Sequence, residues 1–212
     1  MIKTGRAGER IRWGDLDIEF MRDGDGWRAI GSVNCLLPFD PVGRDVLIAP
    51  ILPKERYYLD VEPPVIIAPG SSVALTAVFP VGVEVFLGDL KIGDHNPRLK
   101  RTYLGQTTGG AFAVYVRSGE IYQPGLLVDV SVVNHEKETL CFDELTLAPW
   151  LLSVFEHDGE WVSERLIVHL GHDEIDVKHT DQGPGELIIR GRRESEINKR
   201  LKKFVQRLKD VI

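Results

Sequence analysis

Most of this chain alternates in twos. Over residues 11–20, apolar Ile11 and Trp13 alternate with Arg10 and Arg12, and Leu16, Ile18 and Phe20 alternate with Asp15, Asp17 and Glu19. Period two marks a strand with one buried face. The change of phase across Gly14 predicts a bulge or bend. The DGDG run at 23–26 accepts the positive φ angles of a tight turn, so 27–33 reads as the returning arm of a hairpin.

Seven prolines follow between Pro38 and Pro69. Proline donates nothing to a ladder, so these segments read as edge strands, bends or crossings between sheets, with DVLIAPIL (45–52), RYYLDV (56–61) and VIIAP (65–69) as short strands between such corners. SSVALTAVFP (71–80) and VEVFLGDLKI (83–92) read as the next pair. LKRTYLG and GAFAVYVRS are joined by the loop GQTTGG (105–110). Further on, GLLVDVSVVN (125–134) turns at HEKE into TLCFDELTLA (139–148), an expected hairpin. WLLSVFE turns at HDGE into WVSERLIVHL, and ELIIRG (186–191) closes the series. Roughly a dozen short strands at this spacing predict an all-β fold, a large antiparallel β-sandwich. A second Asp-Gly hairpin ending in tryptophan, at 155–161, echoes the one at 20–27. It makes 122–125 the place where two halves would divide, within one domain spanning 1–192.

Only the end of the chain changes period. Ile197, Leu201, Phe204, Val205, Leu208 and Ile212 form one apolar stripe at helical spacing, with Ser195 as N-cap and Glu194 and Glu196 beside the positive end. The pattern predicts one C-terminal amphipathic α-helix over 193–212, packed on the β domain or on a partner. Lys199, Lys202, Lys203 and Phe204 are its candidate binding residues.

Charge sharpens this contrast. From Arg190 onward there are nine basic residues against three acidic ones, whereas the preceding 189 residues hold 17 basic and 29 acidic. An acidic body repels phosphate, which disfavours nucleic acid. With 212 residues, 43% of them hydrophobic, the chain can bury a proper core and is not disordered. No run approaches the roughly 18 apolar residues of a membrane span, and the N-terminus lacks a signal-peptide core, so a cytoplasmic protein is expected. Cys35 and Cys141 form no CxxC pair and read as small buried hydrophobes, with a disulfide as the alternative in a hyperthermophile. Arg outnumbers Lys by 16 to 10, Pro numbers 12, and Asn and Gln number four each, a thermophile-like balance.

For chemistry, the densest cluster is HLGHDEIDVKH (169–179). His169, His172, Asp173 and His179 supply nitrogen and oxygen donors of the kind that hold zinc or iron, although their spacing matches no standard motif. No cofactor is expected, this set being the one place for a divalent metal. Asp94 and His95 in GDHNPR read as a strand end. The acidic turn at 23–26 lacks the ligand series of a calcium loop. There is no GxSxG, and GQTTGG has neither the lysine nor the helix of a phosphate loop. Trp13, Trp27, Trp150 and Trp161 fit core positions better than a sugar platform.

The stretches FPVGVEVFLGD (79–89), RLKRTYLGQTTGGAFAVYVRSG (98–119) and VVNHEKETLCFDELTLAPWLLSVFEHDG (132–159) resemble an uncharacterised family of archaeal all-β proteins, known only as a domain of unknown function. The resemblance implies an archaeal source and brings no catalytic residues. The expected function is a non-enzymatic binding or assembly module, a homo-oligomer or a partner of another protein through edge strands or the C-terminal helix. The alternatives are a metal-dependent protein at the histidine cluster and a carbohydrate-binding sandwich.

Overall fold

The computed structural model describes residues 1–96, 104–106, 112–171 and 175–191. Its strands run in chain order as β1 (Ile2–Arg6), β2 (Ile11–Trp13), β3 (Leu16–Asp23), β4 (Gly26–Gly31), β5 (Cys35–Leu37) and β6 (Asp45–Ile51). Then come β7 (Arg56–Ile67), β8 (Ser72–Pro80), β9 (Gly82–Leu87), β10 (Leu90–His95), β11 (Leu104–Gln106), β12 (Phe112–Arg117) and β13 (Gly125–Asn134). The last are β14 (Leu140–Leu147), β15 (Val154–His157), β16 (Glu160–Ser163), β17 (Leu166–Leu170), β18 (Ile175–His179) and β19 (Glu186–Ile189). One 3₁₀ turn, Pro149–Leu151, separates β14 from β15. Among the described residues the fold is therefore all-β, with nineteen strands where about a dozen were predicted.

These strands form four sheets, ordered β1-β6-β9-β10, β2-β3-β4-β5, β11-β12-β7-β14, and β18-β17-β13-β16-β15-β19 with β8 on the far side of β13. One continuous apolar cluster draws on all four, from Ile48 and Val85 through Ile18 and Leu37, Tyr57 and Leu145, to Leu126 and Leu166. Strands from before and after 122–125 share two of the sheets, through the β8–β13 and β7–β14 ladders.

The largest sheet is built around β13. Its ten residues alternate as the sequence does: Leu126, Val128, Val130, Val132 and Asn134 are buried, while Leu127, Asp129, Ser131 and Val133 are half-exposed. On one side β13 pairs antiparallel with β8. On the other it runs parallel to β16 and then β17. Leu126 aligns with Trp161 but Val130 with Leu166, so one extra residue is accommodated at Glu164–Arg165. Along the outer edge of this bulged line, β15 flanks β16 and β18 flanks β17.

Glu164 closes the gap between them. Its carboxylate is fully buried and accepts from Ser153 N at 3.1 Å, from His179 Nδ1 at 3.0 Å and from Asp181 N. The side chain thus replaces ladder bonds that the bulge removes.

Several expected pairings differ. The predicted hairpin arms at 125–134 and 139–148 both form, but β14 pairs with β7 rather than with β13. Likewise β8 pairs with β13, not with the strand that follows it, and VEVFLGDLKI is itself the β9–β10 hairpin. Alternation fixes which face of a strand is buried and says nothing about its neighbour. Three ladders, β7–β12, β13–β16 and β13–β17, are parallel, against the purely antiparallel expectation. RYYLDV and VIIAP are one strand, β7, with Pro63 and Pro64 where its register to β14 shifts between Phe142 and Glu144. The prolines sit where no ladder bond is asked of them. Gly14 lies in a two-residue turn between β2 and β3, the bend rather than the bulge of the two alternatives. Both cysteines are free thiols; Cys35 is half-buried and Cys141 is exposed, on the outer side of its pair with Ile66, so neither is the buried hydrophobe expected. The predicted helix at 193–212 lies outside the described residues. Among the described residues no helix is long and apolar enough to cross a membrane.

Candidate functional site

The outward side of the largest sheet carries a row of polar side chains with cavities beside it. Register places its rows in order. Val78 on β8 stands opposite Leu127 on β13, Thr76 opposite Asp129, Ala74 opposite Ser131, and Ser72 opposite Val133. Across β13 the same face continues with Ile167 and His169 of β17, which oppose Lys178 and Asp176 of β18. Alternation along each strand aims these residues away from the core.

One cavity lies at the end of the sheet, where Trp161 aligns with Leu126 on the buried side, and two lie along this face. The first, about 360 Å³, is lined by Val78, Leu127, Trp13, Ile121, Gln123 and Trp161 among others. Trp13 meets Trp161 edge to face at 5.2 Å. Trp161 is buried, and its Nε1 has no hydrogen-bond partner among the described residues. The second, about 300 Å³, is floored by Ala74, Thr76 and Ser131 and walled by Asp129 and Arg165. The third, about 390 Å³, shares Asp129 and Arg165 and continues past Thr180, Gln182 and Pro184. Leu127 and Asp129 are two residues apart on one strand, about 7 Å, so the aromatic cavity adjoins the charged ones.

Arg165 is the outward half of the bulge whose inward half is Glu164. Its backbone is pinned, with N donating to Gln182 O at 3.0 Å and O accepting from Thr180 Oγ1 at 2.7 Å. Its guanidinium is exposed and makes no ion pair among the described residues. Asp129 accepts from Thr76 Oγ1 at 2.7 Å, which orients its carboxylate along the sheet. Opposite charges thus line one groove, a donor fork on a pinned backbone and an acceptor, with small side chains between.

Of the sequence-predicted metal set, His169 and His179 are described. Leu166 aligns with His179 and His169 with Asp176, so the two histidines occupy opposite faces of the sheet. His179 turns inward to Glu164, whereas His169 lies 3.0 Å from His135 through Nδ1 and Nε2. His172 and Asp173 lie outside the described residues, as do Lys199, Lys202, Lys203 and Phe204. Among the described residues no group of three His, Cys, Asp or Glu side chains is arranged to hold a metal. Asp94 pairs with Lys91 at 2.8 Å in the β9–β10 sheet.

A second polar cluster faces out from the β7–β12–β14 region. Tyr58 and Tyr115 stack at 4.9 Å, Tyr58 donates to Glu144 and Tyr115 to Asp60. The hydrogen bond to the Glu144 carboxylate, aided by burial and by that charge, pushes the Tyr58 phenol up to about 12. Burial, with Asp60 alongside, also raises Tyr115.

The family model described as "Protein of unknown function (DUF432)" matches residues 2–209. The chain belongs to the DUF432 family. No curated protein and no solved structure matches it. Arg165, Asp129 and His135 of this DUF432 chain escaped the sequence reading. The signal for Asp129 was present in GLLVDVSVVN, where one acid and one serine interrupt an aliphatic strand on its solvent face. Arg165 depends on a bulge, and His135 on a parallel ladder 34 residues away in sequence, and neither shows in local spacing.

Proposed function

We propose that this chain is a non-enzymatic binding module for a small amphiphile, its anionic head held at Arg165 and its apolar part lying along Leu127 toward Trp13 and Ile121. The observation that carries this is the exposed guanidinium of Arg165, without an ion pair among the described residues, at the junction of two cavities. A planar donor fork on a pinned backbone is suited to a carboxylate or phosphate. Asp129 accepts a hydroxyl or amine of the same ligand. The acidic body opposes a polyanion, which favours a ligand with a single anionic group. Adjoining aromatic walls supply the apolar contact that such sites need.

Octanoate and octyl phosphate, with octanol as the uncharged control, test the reading through intrinsic tryptophan emission and calorimetry. Both anions should bind saturably. Arg165→Met should weaken them by about tenfold or more, the equivalent of one charge-assisted hydrogen bond, and leave octanol unchanged. Trp13→Ala should weaken all three. Anion binding that is absent, or indifferent to Arg165→Met, defeats the proposal.

A further inference from the structure

We propose that His135 and His169 form a two-histidine site for a borderline divalent cation of the zinc, nickel or copper class. His135 Nε2 and His169 Nδ1 are 3.0 Å apart. The ring planes are inclined by only 24° and the centroids are 5.0 Å apart, so the rings meet nearly edge to edge with the two nitrogens facing each other. In the metal-free pair one nitrogen donates and the other accepts. Two imidazole nitrogens each about 2.0–2.1 Å from one ion, at 90–110°, are themselves about 2.9–3.4 Å apart. The spacing is already that of a chelate. An ion needs only a swing of the two rings to bring both lone pairs onto it.

The backbone beneath the pair is firmly held. Asn134, fully buried, donates through Nδ2 to Ile67 O at 2.9 Å and Glu138 O at 2.8 Å, and its Oδ1 accepts from Glu136 N at 2.8 Å. These bonds fix the turn that carries His135. His169 stands in mid-sheet, laddered to Val133 on one side and Asp176 on the other. Binding is balanced without proton release: the proton between the facing nitrogens moves to the far nitrogen of its own ring, and both imidazoles stay neutral. With no third His, Cys, Asp or Glu arranged around the pair among the described residues, water fills the remaining positions.

The site is independent of the Arg165 groove, and octanoate affinity should be unaffected by its loss. The test uses the full-length, tag-free chain at pH 7.5, with zinc followed by calorimetry and copper(II) by electron paramagnetic resonance. One equivalent should bind, and the copper spectrum should carry hyperfine coupling from two imidazole nitrogens. His135→Ala and His169→Gln should each cost about tenfold or more, because removing a ligand costs at least what disturbing its support does. His157→Ala should change nothing. Equal melting temperatures of the metal-free variants exclude unfolding as the cause. Retention of affinity in both variants, a one-nitrogen spectrum, or loss in His172→Ala with retention in His135→Ala each overturns the assignment.

Discussion

At the scale of single residues, the buried carboxylate of Glu164 explains more of the architecture than any other side chain. It takes hydrogen bonds from the backbone of Ser153 and Asp181 and from the His179 ring, all beside the interrupted ladder. Glu164→Ala strands the buried amide of Ser153, worth about 1–3 kcal/mol, and frees the more exposed amide of Asp181 to water, so a loss of roughly 1–3 kcal/mol is expected in urea unfolding, with Glu164→Gln losing about half. A shift under about 0.5 kcal/mol would show that the Ser153 amide finds another acceptor. Tyr58 provides a pH signature of a different kind. Its folded phenol titrates at about 12, above the ~10 of an unfolded tyrosine. The folded state therefore holds that proton more tightly. The resulting stability is fully present below pH ~10 and is lost as pH rises through about 12. Absorbance at 295 nm should resolve the late phenolate, and Glu144→Gln should move it earlier; an unmoved titration would remove Glu144 as the principal cause.

At the scale of elements, what was legible followed from alternation and turn chemistry, and what was not followed from pairing. The faces of β13, the β3–β4 and β15–β16 hairpins and β19 all stand where period two and Asp-Gly turns put them. The tail stripe lies beyond what the structure describes. Partner choice was hidden, since the parallel β13–β17 ladder joins segments about 35 residues apart and depends on the whole core being in place. So were the groove and the histidine pair, which exist only across such ladders. The phase change at Gly14, read as a bulge or a bend, marks a turn. Gly14 has φ +58°, and an added Cβ would stand 2.5 Å from Gln123 O. The turn is therefore pressed against the loop that, with Trp13, lines the aromatic cavity. Gly14→Ala should cost about 1–3 kcal/mol through strain and crowding together. It should also shift tryptophan emission and weaken octanoate and octanol alike, which separates it from Arg165→Met. A variant with native emission and binding would show that the turn and cavity are not coupled.

At the scale of the molecule, the charge division returns as an energetic argument. The first 189 residues carry twelve more acidic than basic groups, and the remainder six more basic than acidic. Gly191 donates to Ser153 Oγ at 3.0 Å, and a Cβ there would strike Leu151 O. Gly191 is thus tightly held, beside the 3₁₀ turn. Six apolar residues on a predicted stripe, each worth about 1.5–3 kcal/mol if fully buried, cannot favour a free existence in water. Docking on the acidic body gains in both apolar burial and charge, whereas docking on a second copy must also meet the entropic cost of association. We therefore expect deletion of 193–212 to leave a folded monomer that melts about 10 °C or more lower, the effect of losing a few kcal/mol from a chain of this size. Raising salt from about 0.1 to 0.5 M should bring the full chain part of the way toward the truncated one, because screening weakens only the charged share. A truncated chain with unchanged melting and a halved mass would make the segment an assembly device instead. Unchanged melting with unchanged mass would leave the stripe without a partner and exclude its attraction to the acidic body.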